Sequence, residues 1–500
     1  MTTSNSTAAP LPEYPQLLGH PRPLWMLFMS EFWERFAFYG MRWALTLYIV
    51  AQFWSGDEAG QADASRTYGA YLALVYATAV FGGYVADKIL GYQRSILLGA
   101  VVMAAGLFMI MLPSHEVFML GLATIIVGNG LFKPNISSMV GQLYAPGDSR
   151  RDRGFTLFYM GINAGALIAP VLTSILANKV FGTPGHHSYH VVFAASGVGM
   201  LISLVWFWFG RRQLGPVGRP SPEMANPMRV VYVAIGVLVA IPLVYLLMDR
   251  AGAVVLQWLL TALFLGVGVM LVIEAIRTGR VQIQRVIAML IIFTFNVLFW
   301  MFFEQAGSSF NFLAQHIVDR DLGGWMFPVG WFQSVNPVAI VILAPLIALA
   351  WGWLDKRRIE PSIPRKFGLG LIGNALGFAV LMYALSSLVG DNGMIPLWTL
   401  VLCYVLQTAG ELCLSPIGLS MVTKLAPVRL VGLGMGGWFL STAIGNNLAG
   451  LFAAHVSGES GMTVDSALSG YTSGFWILLG GGVLLFLIAP LINKLMHGVR

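Results

Sequence analysis

Apolar residues run along this chain in stretches of about 20, long enough to cross a bilayer as helix, and each stretch ends at a short polar or Gly/Pro-containing break. Fourteen such segments are predicted, near 24–53, 67–90, 94–113, 116–143, 153–180, 190–210, 228–247, 253–275, 285–314, 327–353, 367–389, 395–424, 431–455 and 470–496. The strands of a transmembrane barrel would instead alternate polar and apolar positions over about 10 residues. An even number of spans returns both termini to one side. The first 23 residues break the pattern. They are polar, carry five prolines and read as a flexible tail. They lack the basic start and short apolar core of a cleavable signal peptide.

Composition agrees with a polytopic all-α membrane protein. Of the 500 residues, 57% are hydrophobic and 10% charged, against roughly 25% charged in soluble domains. This excludes a disordered chain, a nucleic-acid-binding module and an ordinary soluble enzyme. The net charge of +7 matters through its distribution. With the N-terminus in the cytoplasm, 22 of the 29 Lys and Arg fall on that side, as the positive-inside rule requires. They cluster at Arg150, Arg151 and Arg153; at Arg211, Arg212, Arg219 and Arg229; at Arg277, Arg280 and Arg285; and at Lys356, Arg357, Arg358, Arg365 and Lys366. Membrane topology alone accounts for these loops. A Gly/Pro-rich stretch (Gly215, Pro216, Gly218, Pro220, Pro222, Pro227) follows six spans, and another basic loop follows two more. The organisation is therefore 6 + 2 + 6. It predicts a tail over 1–23, a first bundle over 24–210, a linker with two extra spans over 211–284 and a second bundle over 285–500. Two six-helix halves suggest a transporter with its site between them. The middle pair has no ionisable residue deep in its apolar run and is expected outside the transport path.

Ionisable residues inside spans are costly and mark wet cavities or paired partners. Here they are Glu31, Glu34, Arg35, Arg42, Lys133, Glu304 and Glu411. Glu31, Glu34 and Arg35 share one face of the first helix at i, i+3 and i+4, and Arg42 lies two turns further along it. Lys133 stands alone before Pro134 and Asn135, and needs a first-helix Glu or a substrate carboxylate as partner. The second half offers only the carboxylates Glu304 and Glu411. Three cations and four carboxylates are neutral with one bound proton. Such a site could hold a zwitterion, its carboxylate toward the first half and its ammonium toward the second. Arginine suits the carboxylate end. Tyr39, Tyr76, Tyr159, Trp300 and Trp438 are candidates to line the cavity, with the intramembrane amides Asn163 and Asn336.

Other motifs carry nothing. Gly432, Gly434 and Gly437 have dinucleotide-loop spacing but no preceding strand. No Walker lysine motif or paired-histidine zinc motif occurs, and His186, His187 and His190 lie in a loop. Cys403 and Cys413 are ten helical residues, about 15 Å, apart, too far for a disulfide.

Several motifs together are distinctive. Glu31-Phe-Trp-Glu34-Arg35-Phe-Ala-Phe-Tyr39-Gly40 resembles the E-x-x-E-R signature of the proton-dependent oligopeptide transporter family. Gly83-Tyr-Val-Ala-Asp87-Lys88, with Gly91 and Arg94, is similar to the loop motif of the wider major facilitator superfamily. The Phe158–Gly165 segment, Gly130-Leu-Phe-Lys133-Pro134-Asn135 and Glu411-Leu-Cys-Leu-Ser415-Pro416 match the same family. The resemblance implies a major facilitator fold with two extra helices between the halves and proton-driven import of di- and tripeptides. It implies no cofactor and no enzyme activity. It assigns the peptide carboxylate to Arg42 and Lys133, and the amino end to Glu411 with Asn163 and Asn336. Glu304 exchanges a salt bridge with Arg42, and Glu31, Glu34 and Arg35 couple protonation to closure. Tyr39, Tyr76, Tyr159, Trp300, Ser415 and Trp438 line side-chain pockets. A monomer in the inner membrane is expected, both termini cytoplasmic, with protons, peptides and lipid as its partners. Phe38 stands where many members carry Tyr, so detailed specificity does not transfer. A proton-coupled transporter of another solute, a drug or an anion, is the alternative.

Overall fold

The computed structural model describes residues 13–145, 148–183, 186–248 and 250–499. Among the described residues sixteen α-helices follow one another: α1 (Arg22–Phe53), α2 (Gln61–Val85), α3 (Tyr92–Met109), α4 (His115–Gln142), α5 (Arg151–Ile175), α6 (Tyr189–Gly210), α7 (Met228–Met248), α8 (Arg250–Thr278), α9 (Arg280–Phe303), α10 (Ser309–His316), α11 (Val335–Lys356), α12 (Ile363–Ser387), α13 (Leu397–Leu412), α14 (Ser415–Leu425), α15 (Val431–Ser457) and α16 (Val464–Leu495). Thirteen of the described helical segments are long and apolar enough to cross a bilayer. The charged, 32-residue α1 is the fourteenth span. Two spans are broken: α9 and α10 are halves of one, α13 and α14 of another.

The first six spans pack as one bundle, with α1 against α5 and α6, α3 against α4 and α6, and α2 against α4. The last six form a second, with α12 against α13 and α16, and α9 against α15 and α16. Between them in sequence, α7 rests on α4 while α8 rests on α15 and α9, so the extra pair touches both bundles from outside. Side chains such as Leu238 and Trp258 on this pair are 68% and 71% exposed, as expected where lipid is the solvent. Two polar ties hold it among the described residues: Asn447 Nδ2 donates to Gln257 Oε1 at 2.7 Å, and Arg229 Nη1 donates to the Lys88 carbonyl at 3.4 Å.

The seam between the bundles is tight at the end away from the termini. There α2 meets α15, and Gly69 and Gly450 let the two backbones touch. A Cβ on Gly69 would lie 2.6 Å from the Gly450 Cα. Thr46 Oγ1 donates to the Gly307 carbonyl (3.1 Å), Asn311 Nδ2 to the Trp43 carbonyl (3.0 Å) and Ser334 Oγ to the Leu167 carbonyl (2.8 Å). The Met462 N–H donates to Gln61 Oε1 at 2.9 Å. That bond explains why α2 begins at Gln61, six residues before its apolar run: polar Gln61 and Ser65 are wholly buried against the other half. Toward the terminal side, Tyr159 on α5 is 43% exposed.

Near the N-terminus, residues 13–23 are docked rather than loose. Gln16–Leu17 (β1) pairs antiparallel with His20–Pro21 (β2). The Tyr14 hydroxyl donates to the Leu214 carbonyl at 2.8 Å, and His20 Nδ1 lies 2.8 Å from the Tyr144 hydroxyl. Polar composition suggested a flexible tail because these anchoring partners are more than a hundred residues away. Residues 1–12 of the expected tail lie outside the described residues.

Candidate functional site: a charged cleft between the halves

The stripe on α1 forms as its spacing predicts. Arg35 Nη2 donates to Glu34 Oε1 at 2.6 Å and Nε to Glu34 Oε2 at 2.5 Å, and Glu31 Oε1 lies 3.3 Å from Nε. All three side chains are buried. The bundle adds one donor, Asn129 of α4, at 3.0 Å from Glu34 Oε1. The Glu31 Oε2 atom is buried with no hydrogen-bond partner among the described residues. Below the guanidinium sits the Phe38 ring, 5.0 Å away.

Of its two expected partners, a first-helix Glu or a substrate carboxylate, Lys133 does not pair with the first. Among the described residues it makes no ion pair; its ammonium lies over the Tyr76 ring at 4.5 Å. Its position follows from backbone contact between α2 and α4. A Cβ on Gly82 would come within 1.7 Å of the Gly130 carbonyl oxygen. Pro134 removes one helical donor, and Asn135 Nδ2 satisfies the Leu131 carbonyl (2.7 Å) and the Gly82 carbonyl (3.2 Å). This contact brings Lys133 against Tyr76, a partner from outside its own helix.

Arg42 reaches across the seam. Its Nη2 lies 2.6 Å from Glu304 Oε2 and its Nε donates to the Tyr68 hydroxyl at 2.6 Å. Tyr39 places its ring 5.7 Å from the Arg42 guanidinium carbon and 6.0 Å from that of Arg35. Glu304 ends α9, where the helix tightens into a 3-10 turn over Glu304–Gly307. Gly307 leaves room for Tyr68, since a Cβ there would meet the tyrosine hydroxyl at 2.0 Å.

The second carboxylate also sits at a break. Glu411 lies in the last turn of α13, and α14 restarts at Ser415 with Pro416 in its first turn. Asn336 Nδ2 donates to Glu411 Oε2 and to Thr408 Oγ1, both at 2.9 Å. A small cavity between Arg42 and Asn336 is walled by Tyr39, Phe303, Gln333 and Thr408. Arg42 lines it from the first half, and the two second-half carboxylates are held by residues of its wall, Glu304 by Arg42 and Glu411 by Asn336.

The remaining candidates divide. Trp300 donates from Nε1 to Asn296 Oδ1 at 3.0 Å, and Asn296 donates on to Ser441 at 2.8 Å. Trp438 is buried between Phe293 and Phe367, with ring centroids at 5.9 and 6.1 Å. Asn163 spends its amide N–H on the Tyr159 carbonyl, 2.9 Å away in its own helix. Ser415 Oγ is buried without a hydrogen-bond partner among the described residues. Tyr68, Asn129, Asn296 and Thr408 escaped the sequence reading. Some signal existed: Asn129 lies one turn before Lys133, Tyr68 two turns before Tyr76, and Thr408 three residues before Glu411. Which of these face the cleft depends on neighbours that local spacing does not show.

Comparison with known proteins agrees with this architecture. The family model described as PTR2, POT family, matches residues 93–462. The peptide transporter YePEPT of Yersinia enterocolitica is 37% identical over 525 residues, covering 100% of this chain and 99% of that protein. Dipeptide and tripeptide permease A of Yersinia pestis is 34% identical, covering 90% of this chain and 87% of its own length. A crystal structure of a peptide transporter POT in complex with sulfate superposes with a TM-score of 0.83 at 33% identity, covering 98% of each chain. With twelve spans in two bundles and two more outside them, a charged cleft at the seam and full-length relatives that are transporters, the chain belongs to the POT family of peptide transporters and is not an enzyme.

Proposed function

We propose that this chain is a proton-coupled symporter that imports di- and tripeptides by alternating access between its two bundles. One observation supports the reading most: the Arg42–Glu304 pair is buried and joins the halves, while Lys133 nearby holds no carboxylate among the described residues. Arg42 and Lys133 receive the peptide carboxylate. Glu411, with Asn336 and Asn163, receives the amino end. Protonation at Glu304 frees Arg42 for substrate, and Glu31, Glu34 and Arg35 carry the coupling beside Lys133. Tyr39, Tyr76, Tyr159, Trp300, Ser415 and Trp438 line or support the side-chain pockets. The terminal side faces the cytoplasm and the tight end of the seam faces out, in the inner membrane, so this conformation is closed to the outside. The chain acts as a monomer, without a cofactor. Each charge moved across the membrane draws about 2.3 kcal/mol per 100 mV.

The test is dialanine uptake into liposomes holding the purified protein under an inward proton gradient. Accumulation that collapses with a protonophore is the expected result. No uptake into vesicles where the protein is shown to be folded and correctly oriented overturns the peptide reading and moves the cleft to a drug or anion.

A further inference from the structure

Topology alone explains why Arg211, Arg212 and Arg219 lie on the terminal side, but not why they converge. Arg211 and Arg212 occupy the 3-10 turn that follows α6, and Arg219 lies in the Gly/Pro-rich connection. With Arg94 from the start of α3, and with Gln93 and Pro220, they line a pocket of about 420 Å³. Four guanidinium groups from three segments thus share one wall.

The pocket is built rather than draped. Gln93 receives the connection twice: its N–H donates to the Gly218 carbonyl at 2.9 Å and its Nε2 to the Val217 carbonyl at 2.6 Å. Gly91 (φ +78°) lets the chain pass Pro220, whose nitrogen would lie 2.7 Å from a Cβ at that position. Arg94 pins the far end of the connection, donating to the Met224 and Ala225 carbonyls at 3.1 and 3.0 Å. Arg211 lies on the Trp208 ring at 3.9 Å. None of the four arginines makes an ion pair among the described residues. The nearby acids are engaged elsewhere or stand exposed: Asp87 accepts from the Tyr92 hydroxyl, and Glu223 is exposed on the connection. Like charges held together without a counter-charge repel, and an anion between them relieves the repulsion.

The pocket lies where α6 leaves the apolar region. Trp208 and Phe209 are 49% and 63% exposed just before Arg211, aromatic side chains of the kind that gather at a membrane interface. The same end of α6 walls an apolar groove of about 590 Å³ with Met26, Leu201, Val205, Phe209 and Gly210, and the groove runs on to Gln213. Gly210 and Gln213 bracket Arg211 and Arg212 in the chain. A basic pocket sharing a segment with an apolar groove fits a ligand that is anionic at one end and hydrocarbon at the other. We propose that this is a binding site for an anionic phospholipid, its phosphate among Arg94, Arg211, Arg212 and Arg219 and an acyl chain along α6.

The test is native mass spectrometry of the purified full-length chain after exchange into mixtures of phosphatidylglycerol and phosphatidylcholine. The wild type is expected to retain phosphatidylglycerol preferentially. The Arg211→Gln/Arg212→Gln/Arg219→Gln variant is expected to lose that preference by about a hundredfold, given the contribution of each basic residue to anionic lipid binding. The Lys356→Gln/Arg357→Gln/Arg358→Gln variant removes the same charge from an exposed loop on the same side and is expected to keep it. Equal loss in both variants, or no preference in the wild type, overturns the site. Protection from thermal unfolding by inorganic phosphate as strong as that by phosphatidylglycerol assigns the pocket to a soluble anion and overturns the lipid. Should the triple variant not fold, Arg212→Gln alone is expected to lower the preference about fivefold, and an unchanged preference overturns the proposal.

Discussion

Arg35 and Arg42 sit two turns apart on the same helix, yet they meet their carboxylates in different ways. Arg35 finds Glu31 and Glu34 within α1. Arg42 finds Glu304 on the other bundle, 262 residues away in sequence. The first cluster moves as one body with its helix and survives any rearrangement of the halves. The second exists only while the halves are together at that depth, so any motion that parts them must break it or supply a substitute. Removing one partner of a buried pair strands the other charge, at a cost of about 3–5 kcal/mol. A proton on Glu304 or a carboxylate on Arg42 avoids that cost. The local pair is thus suited to hold a charge in place, and the bridging pair to report whether the seam is closed.

The largest expected effect separates the two clusters directly. Glu34→Gln and Glu304→Gln are both expected to reduce gradient-driven peptide accumulation to vesicle background, with Glu34→Gln sparing some counterflow exchange. Only Glu304→Gln should also widen the distance between spin labels on the far ends of α1 and α15. Widening of equal size in Glu34→Gln would erase the distinction between a local and a bridging pair.

Next comes the seam. Gly69→Leu forces a side chain into the backbone contact with Gly450. Overpacking of that kind costs about 1–3 kcal/mol, enough to lower uptake roughly tenfold by opposing closure. Gly83→Ala, on the same helix with nothing within 4 Å of the added carbon, should leave uptake unchanged; a loss there would mean that α2 is sensitive to side-chain bulk in general. Tyr68→Phe removes the hydroxyl that accepts from Arg42 Nε. Hydrogen bonds to charged groups contribute about 1.5–3 kcal/mol, so the apparent affinity for dialanine should fall about tenfold. An unchanged affinity would show that Glu304 alone orients Arg42. The smallest effect concerns the amides. Asn336→Ala, which loses the bonds to Glu411 and Thr408, should weaken uptake by roughly fivefold. Asn163→Ala, whose donor serves its own helix, should stay within about twofold. The reverse order would put the amino-end site on α5 rather than on α11.

The architecture was legible early because the bilayer imposes it. Every backbone group in lipid must be satisfied within its own helix, so fourteen apolar runs became fourteen spans, and basic residues collected on one side. The α1 stripe was legible for a similar reason, since i, i+3 and i+4 are neighbours on any helix. Lys133 shows where that reasoning stops: spacing allows a first-helix Glu as its partner, and the Gly82–Gly130 contact sets it over the Tyr76 ring instead. The breaks at Glu304–Gly307 and Cys413–Leu414 were read as continuous helix, because apolarity carries through them. Trp438 and Asn163 are placed in the cleft by residue type alone, which does not show that Trp438 packs between Phe293 and Phe367 or that Asn163 also donates to its own helix.

The sequence by itself determined how many times the chain crosses the membrane, which residues are charged inside it, and the face those on α1 share. These follow from local solvation and helix periodicity. Only the tertiary structure decided that Arg42 pairs with Glu304 while donating to Tyr68, that Lys133 lacks a carboxylate among the described residues, that the seam is tight away from the termini, and that four arginines meet beside α6. Each of those depends on how close two distant backbones can come, and that is set by packing between helices rather than by the pattern along any one of them.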